Sequence, residues 1–251
     1  MSDLPGKVAA TTPTQTPLLD VRDLEVRYSG VPAVKGVSFH VDRGETVGLI
    51  GPNGAGKSST VLALAGAVRA SSGSATLDGV ELTGHSPEEV VRLGLSLVPE
   101  GRNMFDGLTV TENLRLGAVA RRSEVPLTAA IAEVVELFPI LGEFRDRPAG
   151  LLSGGQQQQL AIARTLLAAP RMLILDEPSL GLSPTAVDVV FDALGRIRDA
   201  GTSVLVVEQR AEFTIAFCDR THVLHDGRLT LALTPGAAHD ADLLTKAYFG
   251  S

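Results

Sequence analysis

Eight residues, Gly51-Pro52-Asn53-Gly54-Ala55-Gly56-Lys57-Ser58, restrict the fold of this chain more than any other stretch. A glycine, four residues, a second glycine, then lysine and a hydroxyl form the phosphate-binding loop pattern. The pattern needs a strand before it and a helix after it. Thr46 to Ile50 is a short apolar run with β-branched members, bounded by Gly44 and Gly51, which predicts a buried strand. Residues 57–68 predict a helix. The glycines let successive N–H groups point into a cradle for phosphate. Lys57 would reach the β- and γ-phosphates, and the Ser58 hydroxyl would ligate Mg²⁺. Ser59 could hydrogen-bond the α-phosphate. A merely structural glycine turn requires neither the lysine nor the serine.

The run Met172-Leu173-Ile174-Leu175-Asp176-Glu177 is an apolar strand that ends in two carboxylates. Ligands of open α/β sheets sit at such carboxyl ends. Asp176 is the expected acidic partner of Ser58 in the magnesium shell, and Glu177 the expected general base for water attacking a γ-phosphate.

Ser153-Gly154-Gly155-Gln156 reads locally as a capping box that opens a helix through Gln157 to Ala169. A plain cap does not need two glycines, each of which costs a helix interior up to ~1 kcal/mol relative to alanine. Glycine lets another group approach the backbone, and bare N–H groups at a helix start form an anion site. The segment is therefore a cap, a phosphate-facing surface, or both.

Residues 1–17, rich in Thr, Pro and Ala, predict a disordered tail. Strand patterns run from Leu19 to Tyr28 and from Leu95 to Val98, and the pattern turns helical between about 100 and 164. Thr109 to Ala120 and Leu127 to Phe138 are the clearest helices there. Met172 to Leu175, Ser183 to Asp199 and Ser203 to Val207 predict a βαβ unit, and Thr221 to Leu224 with Arg228 to Leu233 a hairpin turning at Asp226-Gly227. The net charge of −7 and the lack of a basic tract argue against a nucleic-acid partner. The single cysteine, Cys218, permits no intrachain disulfide and reads as a small core residue. No apolar run reaches the ~20 residues of a membrane span, so a cytoplasmic chain that docks on something membrane-bound is expected. Gln156 to Gln159 read as a solvated helix face, and the histidines show no metal-ligand spacing.

Taken in order, the loop at 51–58, Ser153 to Gln156 and Asp176-Glu177 resemble the ATP-binding subunit of an ABC transporter. The resemblance covers about Leu18 to Tyr248. It implies an α/β P-loop NTPase core of ABC ATPase type, with an antiparallel β lobe and a helical subdomain inserted near 100–164, in one domain spanning 18–251. It implies a head-to-tail dimer, with ATP between the P-loop of one subunit and the Ser153 to Gln156 segment of the other. Tyr28 is similar to the aromatic that stacks on adenine, although a core strand aromatic would look the same in sequence. Ser179 to Leu182 resembles the loop that couples the two sites.

Two positions depart from the general family pattern. Glu100 stands where a glutamine is usual, and Gln209 where a switch histidine is usual. An ionised Glu100 can only accept hydrogen bonds or bind a cation, so near a γ-phosphate it needs Mg²⁺. Gln209 can donate to a phosphate oxygen but does not titrate. Val98-Pro99-Glu100-Gly101-Arg102, Phe105, Leu108-Thr109-Val110, Glu112-Asn113-Leu114 and Val207-Glu208-Gln209 resemble the LivF-type ATPases of branched-chain amino acid importers. Arg210 stands where that branch usually has asparagine. The resemblance thus implies a Mg²⁺-dependent ATPase that pairs with itself or a paralogue. Its partners would be permease subunits, docked through residues 100–115 on the inner face of the membrane, and indirectly an external solute-binding protein. A urea or short-amide importer, or a weakly hydrolysing nucleotide-gated module, remains the alternative.

Overall fold

The computed structural model describes residues 16–121 and 123–236. The expected tail therefore lies outside the described residues apart from positions 16 and 17, as does the end of the resemblance at Tyr248.

Two sheets organise the described residues. β1 (Leu19–Tyr28) and β2 (Val31–Val41) form a long hairpin. Next come β3 (Thr46–Ile50), α1 (Lys57–Leu64), β4 (Ser72–Leu77) and β5 (Val80–Glu81). The order β2-β1-β4-β5 is an antiparallel sheet. After α2 (Pro87–Leu93) and β6 (Leu95–Val98), the chain passes through α3 (Val110–Gly117), α4 (Leu127–Leu137), α5 (Pro139–Glu143) and α6 (Gly154–Leu166). It returns through β7 (Met172–Asp176), α7 (Pro184–Asp199), β8 (Ser203–Glu208), α8 (Ala211–Phe217), β9 (Arg220–His225) and β10 (Arg228–Leu233). The second sheet has the order β10-β9-β3-β8-β7-β6, parallel except for β10. The fold is thus α/β with an antiparallel lobe, as the sequence leads one to expect.

The central strands are apolar on both faces because each face is covered. Met172 and Ile174 of β7, with Leu205 and Val207 of β8, join a core containing Val61 and Leu64 of α1 and the β1–β2 hairpin. Leu173 and Leu175, with Val204 and Val206, face the opposite core, which contains Leu114, Val134, Leu160 to Ala163 and Leu194. So α1 and α6 cover opposite faces of one sheet. Each fully buried aliphatic side chain contributes about 1.5–3 kcal/mol, so these strands are rigid supports for what lies at their ends.

The local chemistry is visible at several boundaries. Ser86 with Glu89, and Thr109 with Glu112, close capping boxes at the starts of α2 and α3. Asp226 and Gly227 have φ of 45° and 75°, the double positive-φ turn of a tight hairpin. α1 stops at Leu64 rather than at 68, because the Ala67 and Val68 N–H groups both turn back to the Leu62 carbonyl. Cys218 is buried in the α3–α7 core.

Candidate functional site

The loop between β3 and α1 is tightly seated. Gly56 has φ of 105°, and a Cβ there would stand 2.5 Å from the Ala33 carbonyl oxygen, so glycine is required on both counts. Ala33 belongs to β2, so the β1–β2 hairpin rests on this loop. Gly51, Ala55 and Gly56 are buried, Pro52, Ser58 and Ser59 half-buried, and Asn53 and Gly54 exposed. Lys57 is buried, and its Nζ donates to the carbonyl oxygens of Gly51 at 2.8 Å and Pro52 at 3.1 Å. Nζ also lies 3.7 Å from Glu177 Oε1.

The acidic strand end meets this loop. The Ser58 side chain lies beside the Asp176 carboxylate and favours its ionised form. Asp176 is 5 % exposed, and its Oδ1 is buried without a hydrogen-bond partner. Its pKa is pushed up to about 6, chiefly by burial; Glu177 and Glu100 add to the rise, while Ser58 and Lys57 oppose it. An unsatisfied buried carboxylate oxygen near a hydroxyl fits a hard divalent cation whose remaining ligands come from phosphate and water; among the described residues no cluster of three or more acidic, histidine or cysteine side chains is arranged to hold a metal by itself.

Glu177 has φ of 51°, a strained conformation for a non-glycine residue. It turns the backbone so that the Glu177 N–H donates to Val207 O at 2.9 Å. Gln209 Nε2 then donates to both Glu177 carboxylate oxygens, at 2.8 and 2.7 Å. The sequence suggests a phosphate oxygen as the acceptor for this amide; here it holds the proposed base instead. Glu208, whose role the sequence did not reveal, is 3 % exposed. It accepts from the Ser179 N–H at 2.9 Å and the Gln209 N–H at 3.2 Å. The available signal was its place at the end of β8, the parallel neighbour of β7, where Asp176 pairs with Val207. Glu100 is exposed just beyond β6. Tyr28, at the end of β1, is 46 % exposed, so it is not a core ring. The Arg210 guanidinium lies 5.6 Å over the Phe213 ring, which packs edge-on against Phe191, giving that unexpected arginine a structural contact.

Ser153 to Gln156 do form the capping box: Gln156 N–H donates to Ser153 Oγ at 3.4 Å, and Ser153 N–H to Gln156 Oε1 at 2.9 Å. The two glycines differ in what they accommodate. A Cβ on Gly155 would stand 2.8 Å from Ala186 Cβ, so that glycine serves helix packing, not only an approaching anion. Gly154 faces the Arg102 guanidinium. Gln158 and Gln159 are buried, against the expectation of a solvated face, and Gln157 Nε2 donates to Ala149 O at 3.2 Å. The structure brings Lys57, Ser58, Asp176, Glu177, Gln209 and Glu100 together. It leaves Ser153 to Gln156 on the α6 side of the sheet, away from α1.

The family model described as ABC transporter matches residues 34–180. This chain belongs to the ABC transporter family. It is 39 % identical to the high-affinity branched-chain amino acid transport ATP-binding protein BraG of Pseudomonas aeruginosa, over 93 % of this chain and 100 % of the relative. It is 33 % identical to the probable branched-chain amino acid transport ATP-binding protein LivF of Archaeoglobus fulgidus, over 82 % of this chain and 87 % of the relative. In fold it is similar to a crystal structure of an ATP-binding cassette of an ABC transporter in its ADP conformation. That match has a TM-score of 0.83 and 24 % identity, covering 94 % of this chain and 100 % of the other. This cassette is therefore a nucleotide-binding ATPase, and among its described residues no helix is long and apolar enough to cross a membrane.

Proposed function

We propose that this cassette hydrolyses Mg·ATP to energise a branched-chain amino acid importer, as a dimer with itself or a paralogue, docked on permease subunits at the inner face of the membrane. An external solute-binding protein would choose the cargo. The relatives favour this over the urea or short-amide reading. We read residues 18–251 as one ATPase domain with the helices of about 100–164 inserted.

The observation that carries the proposal is the split between two half-sites. Lys57, Ser58, Asp176 and Glu177 gather at the strand ends, while the capped, glycine-lined N-terminus of α6 is held on the other face. One copy's Gly51 to Ser59 cradle and another's Ser153 to Gln156 would enclose the same triphosphate. Lys57 would exchange the Gly51 and Pro52 carbonyls for phosphate oxygens. Tyr28 offers an exposed ring for adenine. Ser58, Asp176 and Glu100 would hold Mg²⁺, which supplies charge neutralisation at the phosphates when bound. Glu177, oriented by Gln209, would take the proton of the water that attacks the γ-phosphorus, as the bond to the β-phosphate oxygen breaks and ADP leaves.

Glu177→Gln tests this reading. ATP binding should persist, steady-state turnover in the assembled complex should vanish, and ATP should drive the variant into a stable dimer on light scattering. Hydrolysis near the wild-type rate would remove Glu177 from the role of base, and a subunit that stays monomeric with ATP would contradict the shared site.

A further inference from the structure

The turn of the β9–β10 hairpin braces the phosphate loop from outside. The Gly227 N–H donates to the Ala55 carbonyl oxygen at 2.9 Å, and the Gly227 carbonyl accepts from the Lys35 N–H of β2 at 2.8 Å. Side chains fasten the same turn. Lys35 Nζ pairs with Asp226 Oδ1 at 2.7 Å, and Arg228 Nη1 donates to the Lys35 carbonyl oxygen at 3.0 Å. Gly227 is buried, and a Cβ on it would stand 2.8 Å from the Ala33 carbonyl oxygen and 3.1 Å from Lys35 Cγ. That oxygen of Ala33 is the one that also excludes a side chain from Gly56. Turn, strand and loop thus meet with no room for a side chain on either glycine.

The contact fixes a direction inside the loop. The Ala55 C=O and the Gly56 N–H belong to one planar trans peptide, so they point in opposite directions. Whatever holds the carbonyl therefore aims the N–H. With the carbonyl held outward by Gly227, the Gly56 N–H is turned toward the inside of the loop, where phosphate would sit. The next peptide is fixed from within the loop and helix. The Gly56 carbonyl accepts from the Thr60 N–H at 2.9 Å and from the Thr60 hydroxyl at 2.8 Å. The Ala55 carbonyl precedes that helical pattern and takes its N–H from the distant hairpin instead.

We propose that Gly227 is a positioning residue of the phosphate site: through the Ala55 carbonyl it aims the Gly56 N–H at bound phosphate, and the Lys35–Asp226 ion pair keeps the turn seated on β2. The inference rests on the reading of Gly51 to Ser59 as the phosphate cradle. Gly227 acts through the loop and not by contact with nucleotide. The chain supplies its own control. Asp78-Gly79, at the β4–β5 turn, has the same two residues with φ of 54° and 76°, against 45° and 75° at Asp226-Gly227. A Cβ on Gly79 would meet nothing within 4 Å. Gly79→Ala therefore carries backbone strain alone, whereas Gly227→Ala carries the same strain and also displaces the turn from its neighbours.

Calorimetric titration of the full chain with Mg·ADP and with inorganic diphosphate reads the site without hydrolysis. Gly227→Ala should weaken both ligands about tenfold, the worth of one hydrogen bond to a charged group. It should also shift the ³¹P resonances of bound ADP. Gly79→Ala should lower Tm and leave both affinities and the resonances as in wild type. Lys35→Met should weaken both ligands about threefold, within the range of a partly exposed ion pair. Lys35→Arg, which keeps the pair, should restore them, and these two variants carry the test if Gly227→Ala does not fold. Unchanged affinities in Gly227→Ala would overturn the proposal. So would a loss of ADP affinity with diphosphate affinity retained, equal losses in Gly79→Ala, or no difference between Lys35→Met and Lys35→Arg. If Lys57→Ala binds both ligands as wild type does, the cradle reading itself fails, and the inference falls with it.

Discussion

Asp176→Asn should make the nucleotide-free protein more stable, although it removes a proposed Mg²⁺ ligand. The wild-type carboxyl is buried with one oxygen unpartnered, and its pKa rises from 3.8 to about 6. A folded-state pKa above the unfolded one means that the folded chain holds the proton more tightly. The carboxyl therefore favours folding most below about pH 4 and loses that advantage as pH rises through 6. Above pH 7 the ionised group costs the metal-free fold about 3 kcal/mol relative to a carboxyl with an ordinary pKa. Asparagine has the same shape and does not titrate, and the introduced amide can donate to the neighbouring carboxylates. The variant should exceed wild type by about 3 kcal/mol at pH 8, shrinking to about 1.5 kcal/mol at pH 5. In a chain of this size, 3 kcal/mol corresponds to roughly 6–12 °C in Tm. Urea titrations and melts in EDTA without nucleotide, from pH 5 to 8, measure both quantities. Saturating Mg·ATP should reverse the order, because only wild type then gains the full binding energy. A variant no more stable than wild type at pH 8, or an advantage that does not change with pH, would refute the reasoning.

Other outcomes follow from individual contacts. Gln209→Ala removes both hydrogen bonds that orient Glu177, so kcat in the assembled complex should fall about 10²-fold, the cost typical of a misplaced catalytic group, while KM changes little. The wild-type pH–rate profile should show no inflection from position 209, whereas Gln209→His should introduce one near pH 6.5; a neutral inflection abolished by Gln209→Ala would contradict this. His222 is half-buried beside Phe39, and its pKa is lowered to about 4, mainly by desolvation and then by Arg220 and His40. Its folded pKa lies below the unfolded value, so its contribution to stability is present above pH 6.5 and is lost as pH falls toward 4. His222→Gln should therefore flatten the loss of stability between pH 6.5 and 4, measured by urea titration; an unchanged acid limb would place the sensitivity elsewhere.

The parts of the site legible in the sequence are those whose chemistry is local. Gly51 to Ser58 and Asp176-Glu177 carry their spacing in consecutive residues, and the supporting strands are unbroken apolar runs. The parts that stayed hidden depend on what the chain packs against. Gln158 and Gln159 look solvated until α6 is laid on the sheet, and the packing role of Gly155 is invisible until Ala186 of α7 meets it. Glu208 is a generic strand-end carboxylate until the Ser179 N–H and the Gln209 N–H are seen to converge on it. The antiparallel lobe was only partly readable for the same reason. β2 and β4 have mixed burial patterns and are defined by pairing with β1, whose own register is irregular.

The central claim is that one chain holds the nucleotide and another completes its site. Mixing two inactive variants, Lys57→Ala and Ser153→Arg, tests it directly in the assembled complex. Each alone should be inactive, the first without a cradle and the second without a complementary surface. A mixed dimer would contain one intact composite site, so an equal mixture should recover about one quarter of the wild-type ATPase activity. No recovery, with mixed dimers shown to form, or substantial activity in Ser153→Arg alone, would contradict the account.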